Sequence, residues 1–212
     1  MNDNAFDPAC CRCPRLARHL STVRRSHPDY HAAPVAPFGD TKAKLLIIGL
    51  APGMHGANRT GRPFTGDFAG ILLYETLHRF GLANQSTSVS MDDPLRLRRT
   101  RITNAVKCLP PENRPLPEEV KRCNPYLAAE IVAMPTHGVL LALGGIAHRA
   151  ALQALQLRPS QFPFGHGAHH RLPNGLQLID SYHCSRYNTQ TKRLTTAMFR
   201  QVVKKAASLI SP

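Results

Sequence analysis

The chain has 212 residues, enough to bury the core of one domain spanning 1–212, and no shift in composition marks a boundary between two. Its 27 Lys and Arg against 13 Asp and Glu give a formal charge of +14, a field that repels basic partners and draws polyanions; nucleic acid is the first partner to weigh, with a merely basic soluble protein as the alternative. No apolar run of about 18 residues is present to cross a membrane, and the opening MNDNAFDPACCRCP has neither the basic start nor the apolar stretch of a secretory leader, so the expected location is the cytoplasm, beside the nucleoid in a bacterium.

The first feature along the chain is a C-x2-C pair, Cys10 and Cys13. A reducing compartment and a chain of this size argue against a disulfide framework for the six cysteines, which invites a metal. Residues 45–50 form a short apolar run that predicts a buried parallel strand, and it empties into GLAPGMHGANRTGRPFTGD, a loop with five glycines. Phe68, Ile71, Leu72, Leu77 and Phe80 then recur at helical spacing, with Asp67 placed to cap the start and Gly81 to end it. A second strand is expected at 101–105. It leads to Cys108 and to LPPENRPLPEE, whose four prolines require an ordered loop or a tether.

A helix over 117–134 carries Cys123, and strands at 138–143 and 176–181 flank a helix at 145–155 and a Pro-, Gly- and His-rich surface loop at 159–175. HGAHH in that loop suits phosphate contact or solvation better than a metal. A last helix is expected at 194–209. Alternating strands and helices predict an α/β protein, a three-layer α/β/α sandwich around a central, mostly parallel, four-stranded sheet. Ligands of such sheets bind beyond the carboxyl ends of the strands, so the loops after Leu50, Ala105, Leu143 and Ser181 should converge on one cleft. By chemistry alone, four thiolates from Cys10, Cys13, Cys108 and Cys123 suit a [4Fe–4S] cluster or a Zn(Cys)4 site equally, and a buried Cys108 could simply be a small hydrophobe.

Taken with C-x2-C-P-R-L at 10–16, TNAVKCLPPENRP at 103–115 and SYHCSRYNTQT at 181–191, the glycine-rich loop completes a pattern. The sequence resembles the uracil-DNA glycosylase superfamily and, within it, the family 5 (type b) enzymes with four cysteines. Nearly the whole chain is covered, with several motifs in the same order. The resemblance implies a monofunctional, monomeric repair enzyme that flips uracil out of DNA and hydrolyses its N-glycosidic bond in base excision repair. The alternative on the same fold is a protein that binds uracil-containing DNA without catalysis, or traps it covalently through a basic, histidine-containing insertion. Nothing like that insertion follows Gly53.

The resemblance also implies roles residue by residue. His183 faces the base and stabilises the departing anion; as an isolated residue it would read as a loop histidine. Asn104 reads the Watson–Crick edge, for which an amide supplies both donors and an acceptor. Phe64 stacks on the base, unless it belongs to the core, and Gly49, Leu50 and Ala51 complete the base-binding wall. Ala51 stands where other superfamily members carry a water-positioning acid, which shifts that work to Asp67; the competing role of Asp67 is the helix cap. Gly53 replaces the tyrosine that excludes thymine in strict uracil enzymes, which implies room for other deaminated bases, hypoxanthine in particular. Asn58, Arg59, Ser185 and Arg186 are implied DNA contacts, and Tyr187 matches the wedge that fills the vacated stack or else is a solvated loop tyrosine. The four cysteines become ligands of a structural [4Fe–4S] cluster. His55 has no assigned role.

Overall fold

A computed structural model describes residues 6–210, so the first five residues of the stretch read for a leader lie outside it. The elements run α1 (Pro14–Ser26), β1 (Phe38–Gly39), β2 (Leu45–Gly49), α2 (Ala57–Thr60), α3 (Phe68–Arg79), β3 (Thr100–Asn104), α4 (Pro117–Val132), β4 (Val139–Leu143), α5 (Gly145–Ala154), β5 (His169–Arg171), β6 (Gln177–Ser181), α6 (Arg186–Gln190) and α7 (Thr196–Leu209). All four expected strands are present, and they pair in parallel in the order β3-β2-β4-β6. The sheet nevertheless has six strands, not four. β1 and β5 add antiparallel edges of two and three residues, too short to show any alternation in sequence.

β2 and β4 are buried on both faces along their whole length, as their unbroken apolar runs require, while β3 and β6 carry polar residues among their apolar ones. Leu45 and Ile47 of β2 pack with Leu73 and Leu77 of α3 and Phe199 and Val203 of α7. Leu46 and Ile48 point the other way, onto Leu127 and Ile131 of α4 and Ala147 and Ala151 of α5. Three layers follow from this alternation. Each such side chain removed from water contributes roughly 1.5–3 kcal/mol.

A third cluster closes one end of the molecule. Leu16, Leu20 and Val23 of α1 bury against Val106, Leu109 and Tyr126. Their spacing is helical, but among so many charged neighbours it is a three-residue signal, and α1 was not among the expected elements. The segment at 159–175 is also more ordered than a surface loop. Its β5 edge pairs with β6, and buried His148 donates from Nδ1 to Asp180 Oδ1 at 2.8 Å while its Nε2 meets the Phe162 carbonyl at 2.8 Å. Within HGAHH, His166 accepts from the Tyr182 amide, and His170 Nε2 lies 3.2 Å from the Pro163 carbonyl and 3.7 Å from Asp180 Oδ2. These histidines fasten the loop to the sheet edge.

Candidate active site

The strand exits are joined before they diverge: the Ala105 amide donates to the Gly49 carbonyl and the Val106 amide to the Leu50 carbonyl, both at 2.9 Å. Gly49 and Asn104 are register partners at the ends of β2 and β3. A Cβ on Gly49 would stand 2.7 Å from Phe64 Cζ and collide with Asn104 Oδ1, so only glycine lets those two side chains meet over the strand end. Phe64 sits at φ 54, an unfavourable conformation for an aromatic residue. It is held there by its neighbours: the Tyr74 hydroxyl donates to the Pro63 carbonyl at 2.7 Å, and the Phe64 carbonyl rests where a Cβ of Gly70 would be.

Beyond these strand ends lies a cavity of about 440 Å³. Leu50, Ala51, Gly53, Phe64, Asp67, Asn104, His183, Ser185 and Arg186 line it, so most of the residues named from sequence come together in one place. Gly49 acts from beneath by admitting Phe64 and Asn104. Three of the four expected loops contribute to the wall. The loop after β4 stands behind it, where a Cβ on Gly144 would lie 3.8 Å from His183 Cβ.

Asp67 is at once a cap and a cavity group. Its Oδ1 accepts from the Gly70 amide at 2.9 Å and starts α3. Its Oδ2 points toward the glycine loop, 3.7 Å from where a Cβ on Gly53 would be, and a Cβ on Gly56 would approach Asp67 Cβ to 2.8 Å. Glycines 53 and 56 therefore open the path to this oxygen. Burial raises the Asp67 pKa above the ordinary carboxylate value, opposed by the Gly70 and Ala69 amides. A carboxylate so placed is a better base than one in water.

Across the cavity, the His183 ring stacks on Phe64 with centroids 5.8 Å apart and planes at 27°. Burial pushes its pKa down to about 4, so at neutral pH it is a neutral imidazole with one N–H to donate. Asn188 Nδ2 donates to the His183 carbonyl at 2.8 Å and fixes the backbone. Among the described residues nothing hydrogen-bonds to the His183 ring or to the Asn104 amide, although Asn104 is only 3% exposed. Their donors and acceptor are left for a ligand.

On the rim, Ser185 caps α6, Arg186 is exposed with its guanidinium 5.3 Å from the Phe68 ring centroid, and Tyr187 is 71% exposed. Arg59 is exposed and donates from Nε to the His55 carbonyl at 2.8 Å, tying down the glycine loop. His55 Nδ1 lies 2.8 Å from the Tyr30 hydroxyl, turned to α1's end of the molecule rather than into the cavity. Asn58 requires a correction: it is 0% exposed, with neither side-chain atom hydrogen-bonded among the described residues, so it faces the interior of the loop and not an external strand of DNA. Four cavity residues were missed in the sequence, Ala57, Phe68, Ala69 and Asn113, and two of them have side chains large enough to shape the cavity. Phe68 was read only as a helix position, and Asn113 stands in the proline loop at φ 55, where Asn is the residue type that tolerates a left-handed turn.

Cys10, Cys13, Cys108 and Cys123 line a second, separate cavity with Arg12, Lys107 and Arg122. Burial, followed by the charges of Cys123, Cys10 and Cys13, pushes the Cys108 thiol up to about 12. Burial pushes Cys123 to about 11 against the Lys107 charge, and the Lys107 amide donates to Cys123 Sγ at 3.3 Å. Four thiols gathered with cationic and amide neighbours, whose ionised forms would repel one another, are chemically suited to hold a cationic centre that would neutralise them. Among the described residues no three His, Cys, Asp or Glu side chains crowd tightly enough for a single metal ion. Cys11 is exposed and Cys184 is fully buried in a different core layer, so neither joins the four.

The family model described as "Uracil DNA glycosylase superfamily" matches residues 36–207. The "Type-5 uracil-DNA glycosylase" of Thermus thermophilus is 48% identical over 207 residues, covering 95% of this chain and 94% of that protein. The protein of the same description from Pyrobaculum aerophilum is 42% identical over 203 residues, covering 94% and 88%. A "Type-4 uracil-DNA glycosylase" from Pyrobaculum aerophilum is 37% identical over 121 residues, 57% of this chain.

Proposed function

The chain belongs to the uracil-DNA glycosylase superfamily, and from that premise we propose that it excises uracil from DNA by the residues gathered around the 440 Å³ cavity. The observation that carries the reading is the placing of Asp67 Oδ2, the Asn104 amide and the neutral His183 imidazole on one cavity at the carboxyl ends of the parallel strands.

A flipped uracil stacks on Phe64 and presents its pyrimidine edge to Asn104. Rupture of the N-glycosidic bond leaves positive charge on the sugar and negative charge on the base. His183 donates its N–H to a carbonyl oxygen of the departing base, while Asp67 Oδ2 orients a water and accepts its proton as the oxygen bonds to the anomeric carbon. Asn113, entering from the proline loop, is a further contact for the base or its sugar. Ser185, Arg186 and Arg59 hold flanking phosphates. The products are free uracil and an abasic site.

Finer features extend the proposal. Gly53 has open space around its missing side chain, Asp67 Oδ2 at 3.7 Å being the nearest atom, which supports acceptance of larger deaminated bases such as hypoxanthine. Cys10, Cys13, Cys108 and Cys123 would hold a [4Fe–4S] cluster, whose contribution is to crosslink α1, the exit of β3 and α4 rather than to take part in hydrolysis. The enzyme acts as a monomer of one domain. The test is direct: incubation with duplex DNA holding a single uracil should release the free base and leave an alkali-labile site. Binding without base release would favour the non-catalytic alternative.

A further inference from the structure

We propose that Phe68 and Ile71, at the start of α3, form a second wedge that packs against the base stack beside the flipped nucleotide, in addition to Tyr187 on α6; this rests on the excision reading above. Phe68 is 37% exposed, Ile71 66% and Tyr187 71%, in a chain of net charge +14. Single exposed apolar side chains need no explanation, but here Phe68 lines the cavity, Ile71 lies one helical turn beyond it and Tyr187 follows the lining residue Arg186, and apolar side chains grouped in this way mark a contact surface.

Three relations tie the group to DNA. Phe68 is itself part of the cavity wall, so a base entering the cavity carries its flanking stack across this ring. Ile71 follows at i+3 and extends the same face of the helix outward. The Arg186 guanidinium lies 5.3 Å from the Phe68 centroid, so an apolar ledge and a cation with free N–H groups for phosphate meet at one rim. Opening a stack is unfavourable, and apolar residues offset the loss by filling the gap. The first turn of α3 is also fixed by the Asp67 cap, so this wedge needs little ordering on binding.

The wedge matters only where there is a stack to open, so duplex and single-stranded substrates separate it from a role inside the cavity. Ile71→Ala, at an exposed position outside the cavity, is expected to lower kcat/KM on uracil in duplex DNA about tenfold and to leave single-stranded uracil DNA unchanged to within about twofold, with Ile71→Leu restoring the duplex rate. Wild-type protein should also raise the fluorescence of a 2-aminopurine placed beside an abasic-site analogue, and Ile71→Ala should blunt that rise. Equal rates for wild type and Ile71→Ala on duplex, or equal losses on both substrates, would overturn the wedge while leaving excision standing. Failure of the wild type to release uracil from either substrate would overturn both readings.

Discussion

Asp67 caps α3 with one oxygen and turns the other to the cavity, where the proposed mechanism gives it a second task, and the two can be separated by substitution. Asparagine caps a helix as well as aspartate does, so Asp67→Asn should keep α3 intact. Because burial raises the Asp67 pKa, its folded-state charge costs stability once the pH is above the folded value, and the neutral amide removes that cost. Asp67→Asn should therefore melt at or above the wild-type temperature at pH 7, whereas Asp67→Ala, which lacks the cap, should be less stable by about 0.5–2 kcal/mol; calorimetry decides. For His183 the sign is reversed. Its folded pKa of about 4 lies below the ordinary 6.5, so the unfolded chain binds the extra proton between those values, and stability is retained above about 6.5 and lost as pH falls toward 4. His183→Gln should flatten that part of a stability-versus-pH curve. Both side chains could be named from sequence because the motif carries them. Asn58 could not be placed, because a polar residue in a glycine-rich loop reads as exposed and only packing reveals it at 0% exposure.

At the scale of elements, Gly49 shows how a strand end becomes a site. Gly49→Ala would drive a methyl into Phe64 and Asn104 and should cost about 1–3 kcal/mol in a urea melt while abolishing excision. Gly53→Ala, with only Asp67 Oδ2 at 3.7 Å, should leave the melt unchanged. β2 and β4 were legible because each is an apolar run of five residues bounded by loops. α1 was not, since Leu16, Leu20 and Val23 stand alone among arginines and histidines and their burial depends on the distant Val106 and Tyr126. β1 and β5 exist only because β3 and β6 offer them an edge. Asn113 escaped notice for a related reason: its place in the cavity is set by the path of the proline loop, which Arg15 fastens by a bond from Nη2 to the Arg114 carbonyl at 3.1 Å and a two-pronged pair with Glu119 at 2.8 Å.

Across the whole molecule, charge and cysteines act at a distance. A chain of +14 that neutralises phosphates releases counterions, so affinity for abasic-site duplex should fall steeply as salt rises. The four cysteines come from segments about a hundred residues apart in sequence, so the proposed cluster would add a crosslink to the apolar contacts by which Leu16, Leu20 and Val23 dock the N-terminal helix. Anaerobically purified protein should contain about four iron and four sulfide per chain, and removing them should lower Tm by about 5 °C or more, taking ~2 kcal/mol for the lost crosslink. A colourless protein with one zinc would refute the cluster.

The division of labour between Asp67 and His183 is tested most directly by single-turnover excision at saturating enzyme, with uracil and hypoxanthine placed singly in the same duplex. Asp67→Asn is expected to slow excision of both bases by about 10²-fold or more while binding abasic-site duplex as wild type does. His183→Ala is expected to slow uracil more than hypoxanthine, since a purine can leave with a proton on its own ring nitrogen. Wild-type rates from Asp67→Asn would contradict this account and reduce Asp67 to a helix cap.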